Sequence, residues 1–450
     1  MVTPFVILLL AIALLPLMKW SEHWWESNLH RFYVAAVLAL VTLIYFLVMH
    51  GNPIEAHWPA HHYSEPSAGL NWGLTFDVFA NAIFNEYVPF IVLLFALYTI
   101  SGGIRIEGDL RAHPLTNSII ILLGALLASF VGTTGAAMLL IWLLLDTNAE
   151  RKHVQHTVIF FIFCVCNCGG CLLPIGDPPL FLGYLKGVPF LWTFQLWKEW
   201  LFVNGTLVGI YFLMDSLYFY RKEEKLDVLR DEVRTRKLTV RGLLPHLPLL
   251  IGVIFGVALL DPSQAFPGTN WHPPMYLREV FQLAMVALSL IWGDNELRKA
   301  NQFNYHAIIE VAALFFGIFI TMQPALQILN VEGPNLGLTT PVQFFWATGA
   351  LSSFLDNAPT YVVFFETARS LGGENLVPAG NGVAEHLLVA ISIGAVFMGA
   401  NTYIGNAPNF MVRAIADKRG VKMPSFFGYM LWSGLILIPL FVLVTFVFLV

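Results

Sequence analysis

Long apolar runs separated by short polar loops dominate this chain. Runs long enough to cross a bilayer as helices fall near 4–20, 31–49, 87–104, 157–186, 200–220, 246–260, 276–292, 306–329, 386–411 and 426–449. Two further apolar stretches, 116–147 and 342–368, are interrupted by tips of small or polar residues, Gly132-Thr133-Thr134-Gly135 and Asp356-Asn357-Ala358-Pro359. As plain spans they would place the basic loops that follow on the wrong side of the membrane, so they are expected to be re-entrant hairpins. The pattern predicts an all-α polytopic membrane protein with about ten transmembrane spans plus two re-entrant hairpins.

Charge orients this pattern. Eight Lys and Arg residues lie between Arg221 and Arg241, which marks that segment as a cytoplasmic basic linker, a solvated stretch or short interfacial helix. Arg151-Lys152, Arg298-Lys299 and the stretch from Arg413 to Lys422 then also fall inside. The loops 51–89, 261–274 and 330–341 contain no Lys or Arg and fall outside. Both termini are predicted to be periplasmic, in a multi-pass protein of the cell inner membrane. Met1 to Trp20 has no basic leader region and reads as a retained span. The segment Trp192 to Trp200 reads as an amphipathic interfacial helix.

The two halves resemble each other. Ala128 to Gly135 matches Ser352 to Pro359 at an offset of 224 positions, and Glu86 matches Glu310 at the same offset. Ile175-Gly176-Asp177-Pro178-Pro179 matches Ile404-Gly405-Asn406-Ala407-Pro408 at an offset of 229. Residues 1–220 thus form a first repeat, with hairpin 116–147 and broken span 157–186. Residues 221–241 are the linker, and 242–450 form the second repeat, with hairpin 342–368 and broken span 386–411. Five spans per half is odd, so the second copy is inverted relative to the first.

Composition agrees: 57% of residues are hydrophobic and 12% charged, too few charges to cover a soluble chain of this length. The net charge of −5 gives no sign of a nucleic-acid partner. Cys164, Cys166, Cys168 and Cys171 cluster in one run, which suits packing in a helix rather than a disulfide framework. His57, His61 and His62 with Glu55 form a candidate external metal cluster, but they share one polar loop and read first as solvated surface groups. Glu86 and Glu310 are expected to line entrances or pair with groups near the interface.

Gly and Pro in the middle of a span open its backbone and leave half-helix ends facing each other. Such ends offer carbonyls to cations and amides to anions. Asp177 in the first break and Asp356 at the second hairpin tip are intramembrane acids, which mark ion or proton pathways and also cap half-helices. One carboxylate holds a proton or a Na+ ion but not readily both, which is the minimal chemistry of antiport. Asn357, Asn406, Asn401, Thr402, Thr133 and Thr134 add neutral oxygens for a hard-cation shell, and Gly176 and Gly405 complete the candidate set.

With these tips and breaks, the chain resembles the ion transporter superfamily. That group includes citrate and dicarboxylate carriers, arsenite-pump membrane subunits and one class of sodium/proton antiporters. The resemblance implies a homodimer with a scaffold and a transport domain that moves as an elevator. Dicarboxylate carriers of the group place Ser-Asn-Thr at each hairpin tip, whereas these tips read Gly132-Thr133-Thr134 and Asp356-Asn357-Ala358. An aspartate there repels a substrate carboxylate and favours a cation.

The leading expectation is therefore Na+/H+ exchange, with Na+ held by Asp177, Asp356, Asn357 and Asn406. Cation-coupled transport of citrate or another dicarboxylate is the alternative, and an arsenite-type efflux subunit is a third reading. No catalytic residue and no cofactor are expected. The partners are membrane lipids, a second copy of the chain and a small ion or carboxylate.

Overall fold

The computed structural model describes residues 2–18, 20–58, 61–67, 69–233, 235–372, 376–377 and 382–450. These are predominantly helical, with two small two-stranded sheets. Among the described residues, five helices are long and apolar enough to span alone: Asn28–Val48, Trp72–Ser101, Pro114–Val131, Trp192–Lys222 and Phe426–Leu449. A sixth candidate is the pair His306–Thr321 and Gln323–Leu336, bent by 43°. Pro324 follows the bend, where its missing amide and its ring oppose a continuous helix. Other expected spans contain shorter helices, the apolar Thr3–Leu14 and Leu243–Leu259 and the more amphipathic Leu277–Trp292. The all-α polytopic class therefore holds at this coarse level, with five or six helices rather than ten meeting the length of a single unbroken span.

Both interrupted stretches fold as helix pairs. In the first, Pro114–Val131 and Thr133–Thr147 meet at Gly132. Its φ of +82° lies in the region that glycine enters without strain. In the second, Pro341–Phe354 gives way to Asn357–Leu371 through Leu355 and Asp356. The basic segment after residue 220 forms a short helix, Lys225–Val233, and then a strand. That strand, β4 (Arg236–Arg241), pairs antiparallel with β3 (Arg105–Asp109), a pairing that the charge pattern did not announce. The Trp-rich segment near 192–200 is not a separate interfacial helix but the start of the helix that runs to Lys222.

The chain divides into two compact units, and each draws on both sequence halves. The first comprises Met1–Phe95, Asn304–Thr339 and Val362–Glu385. Within it, Asn28–Val48 packs along His306–Thr321 at a contact between small residues. A Cβ added to Gly317 would lie 2.7 Å from the Ala35 Cβ, so the helices approach closely only because no side chain intervenes. The same two helices share an ion pair, with Arg31 Nη1 2.9 Å from Glu310 Oε2. Gln323 Nε2 donates to Glu86 Oε2 at 3.4 Å. The pairing role expected of the two glutamates is thus met by an arginine for Glu310 and a glutamine for Glu86.

The second unit comprises Ala96–Phe303, Thr340–Tyr361 and His386–Val450, and holds both breaks and both hairpin tips. The helix contact in the first unit gives a direct test. Gly317→Leu forces overpacking, which costs about 1–3 kcal/mol, so thermal unfolding in detergent should shift to lower temperature. An unchanged midpoint would contradict the close contact with Ala35.

Candidate ion site at the paired breaks

Both broken spans interrupt the helix in the same way. Helix Gln155–Cys164 ends well before Asp177, and Pro178–Leu185 resumes with prolines at its first two positions. There proline's fixed φ suits helix initiation and its missing amide is not needed. Helix Glu385–Met398 likewise stops, and Ala407–Lys418 begins with Pro408 at its second position. Between the half-helices the backbone folds tightly on itself. A Cβ on Gly176 would stand 2.3 Å from the Gly170 carbonyl oxygen, and one on Gly405 2.5 Å from that of Gly399. These two glycine pairs are related by the 229-residue offset. The repeat therefore extends to a shared close approach that only glycine permits.

A second set of equivalent contacts ties each hairpin to its own break. Ser129 Oγ donates to the Gly169 carbonyl at 2.5 Å and accepts from Leu172 N at 3.1 Å. Its counterpart Ser353 donates to the Met398 carbonyl at 3.1 Å and accepts from Asn401 Nδ2 at 2.9 Å. The closing span of each half then also donates to freed carbonyls, in the first half including the one that Ser129 reaches. Trp200 Nε1 and Asn204 Nδ2 reach Gly169 and Cys168, each at 3.0 Å. Tyr429 Oη and Ser433 Oγ, exactly one 229-residue offset later, reach Ala400 at 2.9 Å and Asn401 at 2.7 Å.

These bonds change the chemistry expected of the breaks. A backbone opened inside a membrane is stable only where its polar groups find partners, and here side chains supply many of them. Besides the bonds above, Asn409 Nδ2 lies 2.9 Å from the carbonyls of both Gly399 and Thr402. The Cys166 carbonyl accepts from Asn406 Nδ2 at 3.0 Å, and the Gly176 carbonyl accepts from Thr133 N at 2.9 Å. The carbonyls expected to meet a cation are largely occupied, so side-chain oxygens become the principal ligands on offer.

Asp177 is the centre of the site, with only 1% of its surface exposed. Its Oδ1 accepts from Thr133 Oγ1 and from Asn406 Nδ2, each at 3.0 Å. Its Oδ2 accepts from Asn357 Nδ2 at 2.6 Å. All three side-chain donors are neutral. Taking a carboxylate out of water costs several kcal/mol, and hydrogen bonds to a charged group contribute roughly 1.5–3 kcal/mol each. Three such bonds offset part of that cost, and none of them comes from a basic side chain. The three donors come from the first hairpin tip, the second hairpin tip and the second break, so this one carboxylate joins every functional segment of the two repeats.

The remaining candidates have distinct positions. Asn357 is buried, and its Oδ1 has no hydrogen-bond partner among the described residues although its Nδ2 binds Asp177. Asp356 is half-buried, and its Oδ1 accepts from Ala358 N at 3.1 Å, capping the helix Asn357–Leu371. It directly precedes Asn357, whose amide binds Asp177. Thr402 Oγ1 donates to the Ser353 carbonyl at 2.5 Å and accepts from Gly405 N at 3.1 Å. Thr402 and Asn401 therefore brace the second break instead of touching Asp177. Thr134 is half-buried beside Thr133, with no recorded bond to the carboxylate.

Sequence reading passed over Asn167, whose Nδ2 donates to Asn409 Oδ1 at 2.7 Å and so links the two breaks directly. It also passed over Ser129, Ser353, Trp200, Asn204, Tyr429 and Ser433. A systematic search for polar residues repeated at offsets of 224 and 229 would have found the serines and the two closing-span pairs. Asn167 was hidden among the cysteines. Those four thiols are buried and free, as packing residues would be. The α-helix ends at Cys164, and Cys168 to Cys171 form a separate 3-10 turn. A separate cavity of about 620 Å³ in the same unit is lined by Arg151, Lys152, His153, Arg419 and Lys422, and includes none of the candidate residues.

A protein family described as "Putative citrate transport" matches residues 49–449 of the chain. No curated protein matches it.

The glycine contacts make a prediction that is independent of substrate. Gly176→Ala and Gly405→Ala each drive a methyl group into a backbone carbonyl, so each should cost about 1–3 kcal/mol of stability and abolish transport of any substrate. Cβ-bearing variants with wild-type stability and transport would contradict the close approach.

Proposed function

As the chain belongs to the "Putative citrate transport" family, we propose that it is a secondary transporter of the inner membrane that exchanges Na+ for H+ at Asp177. The observation that carries this reading is the environment of the carboxylate. Asp177 is buried, its side-chain donors are all neutral, and the unpartnered Asn357 oxygen lies on the same amide that binds it. A buried acceptor without a partner costs about 1–3 kcal/mol, and a cation is the ligand that removes this cost.

In one state a proton neutralises Asp177. In the other, Na+ does so, with the free Asn357 oxygen as a ligand and the Thr133 hydroxyl turned to present a lone pair. The two ions compete for one carboxylate, so binding of either expels the other. Asp356 adds a second negative charge beside this site and favours cations further. Direct hydrogen bonds tie both tips and both breaks together, which supports an elevator-type movement of these parts as one piece within a homodimer.

The family match favours a second reading, cation-coupled transport of citrate or a dicarboxylate. An anion would need free amides at the half-helix ends. At the first break Pro178 and Pro179 have no amide hydrogen, and Leu180 N and Phe181 N already donate to the Asp177 carbonyl. This supports a cation there and leaves an anion to be held elsewhere in the site.

Proteoliposomes separate the two readings. With an acidic lumen, external NaCl should raise luminal pH for the wild type and leave it unchanged for Asp177→Asn. Labelled citrate uptake without Na+-driven proton movement would overturn exchange in favour of carboxylate transport. Asp356→Asn keeps a capping oxygen, so it should fold normally yet lose exchange. A full rate and unchanged pH profile in that variant would reduce Asp356 to a helix cap.

A further inference from the structure

We propose that Glu55, His57 and His61 form a binding site for a borderline transition-metal cation, and that Zn2+ is the ion their chemistry fits best. The site lies in the first compact unit and does not rest on the transport reading. It follows from the register of a two-stranded sheet. Strand β1 (Ile54–Ala56) pairs antiparallel with β2 (His62–Ser64), with Glu55 opposite Tyr63 and Ala56 opposite His62. The next pair in that register is His57 with His61. Side chains alternate between faces along a strand, so Glu55, His57 and His61 share one face while Ala56 and His62 occupy the other.

The observed contacts agree with this arrangement. One ligand atom from each of Glu55, His57 and His61 lies within 4.8 Å of the other two. His61 Nε2 is 2.5 Å from Glu55 Oε1, and the rings of His57 and His61 are 5.2 Å apart. All three groups are solvent-accessible, so an ion can enter. On the other face, Ala56 is fully buried and His62 Nε2 lies 3.4 Å from Asp77 Oδ2. His62 is therefore committed elsewhere and is not a ligand.

The ligand-bearing strand is also held in place. Asn81 Nδ2 donates to the Glu55 carbonyl at 2.8 Å, while its Oδ1 accepts from His57 N at the same distance. One amide side chain thus fixes the backbone of two ligands. Trp58, beside His57, stacks on Phe84 with ring centroids 4.7 Å apart. Backbone support of this kind is the preorganisation that metal sites need.

Ligand type selects the ion. Two imidazoles and one carboxylate form the donor set of Zn2+ and its neighbours, whereas Ca2+ and Mg2+ require oxygen throughout. Ligands bonded to tetrahedral Zn2+ at about 2.0–2.1 Å stand roughly 3.3 Å apart, so modest side-chain rotations close the site. Three protein ligands leave the fourth position to water.

The test is Zn2+ titration of the untagged full chain in detergent, read by calorimetry. The combined His57→Ala and His61→Ala variant should bind one Zn2+ fewer per chain than wild type, and His62→Ala should match wild type. Asn81→Ala should weaken the same site by on the order of tenfold. Unchanged Zn2+ stoichiometry and affinity in the combined variant would overturn the proposal, as would loss of the ion in His62→Ala alone. If the combined variant fails to fold, Glu55→Gln carries the test, and wild-type Zn2+ affinity in that variant counts against the site.

Discussion

The hydrogen bonds that converge on Asp177 are the constraint on which the candidate site depends. A buried carboxylate without a basic partner must be satisfied by neutral donors, and here three of them arrive from three different segments. Loss of any one segment would leave a charge poorly solvated inside the protein. The same bonds that stabilise the Asp177 carboxylate therefore also hold the tips and breaks in register. Stability and ion chemistry are not separable at this residue.

Around this centre, the two repeats solve one problem in one way. Each must open a helix inside an apolar unit without stranding its backbone groups. Each uses a glycine pair for the tight turn, and a hairpin serine with two polar residues of the closing span for freed carbonyls. The repeats differ where chemistry is needed. Asp177 in the first break corresponds to Asn406 in the second, and Thr133 at the first tip corresponds to Asn357 at the second. Symmetry supplies the frame, and its violation supplies a single acid with unlike partners.

Much of this was legible in the sequence because the breaks rest on glycine, proline and acidic residues whose placement in apolar runs is costly. Those positions identified both hairpins, both broken spans and the acid at the centre. The partners of the freed carbonyls were not legible in the same way. Trp200, Asn204, Tyr429 and Ser433 lie in ordinary-looking spans, and only their repetition at a fixed offset gives them away. Asn167 has no repeat signal of that kind. The β3–β4 pairing joins segments more than a hundred residues apart through short polar strands, and no local pattern specifies such a contact. The histidine loop was visible as a cluster, but its geometry depends on a strand register that three-residue strands announce only weakly.

The central claim is that one carboxylate serves Na+ and H+ in turn. Its most direct measurement is calorimetric Na+ titration of the purified protein in buffers of different ionisation enthalpy, which counts protons released as the ion binds. The account predicts that Na+ binding releases protons in the wild type, and that both binding and release vanish in Asp177→Asn. Na+ binding with no proton release, or with release unchanged in Asp177→Asn, would contradict it.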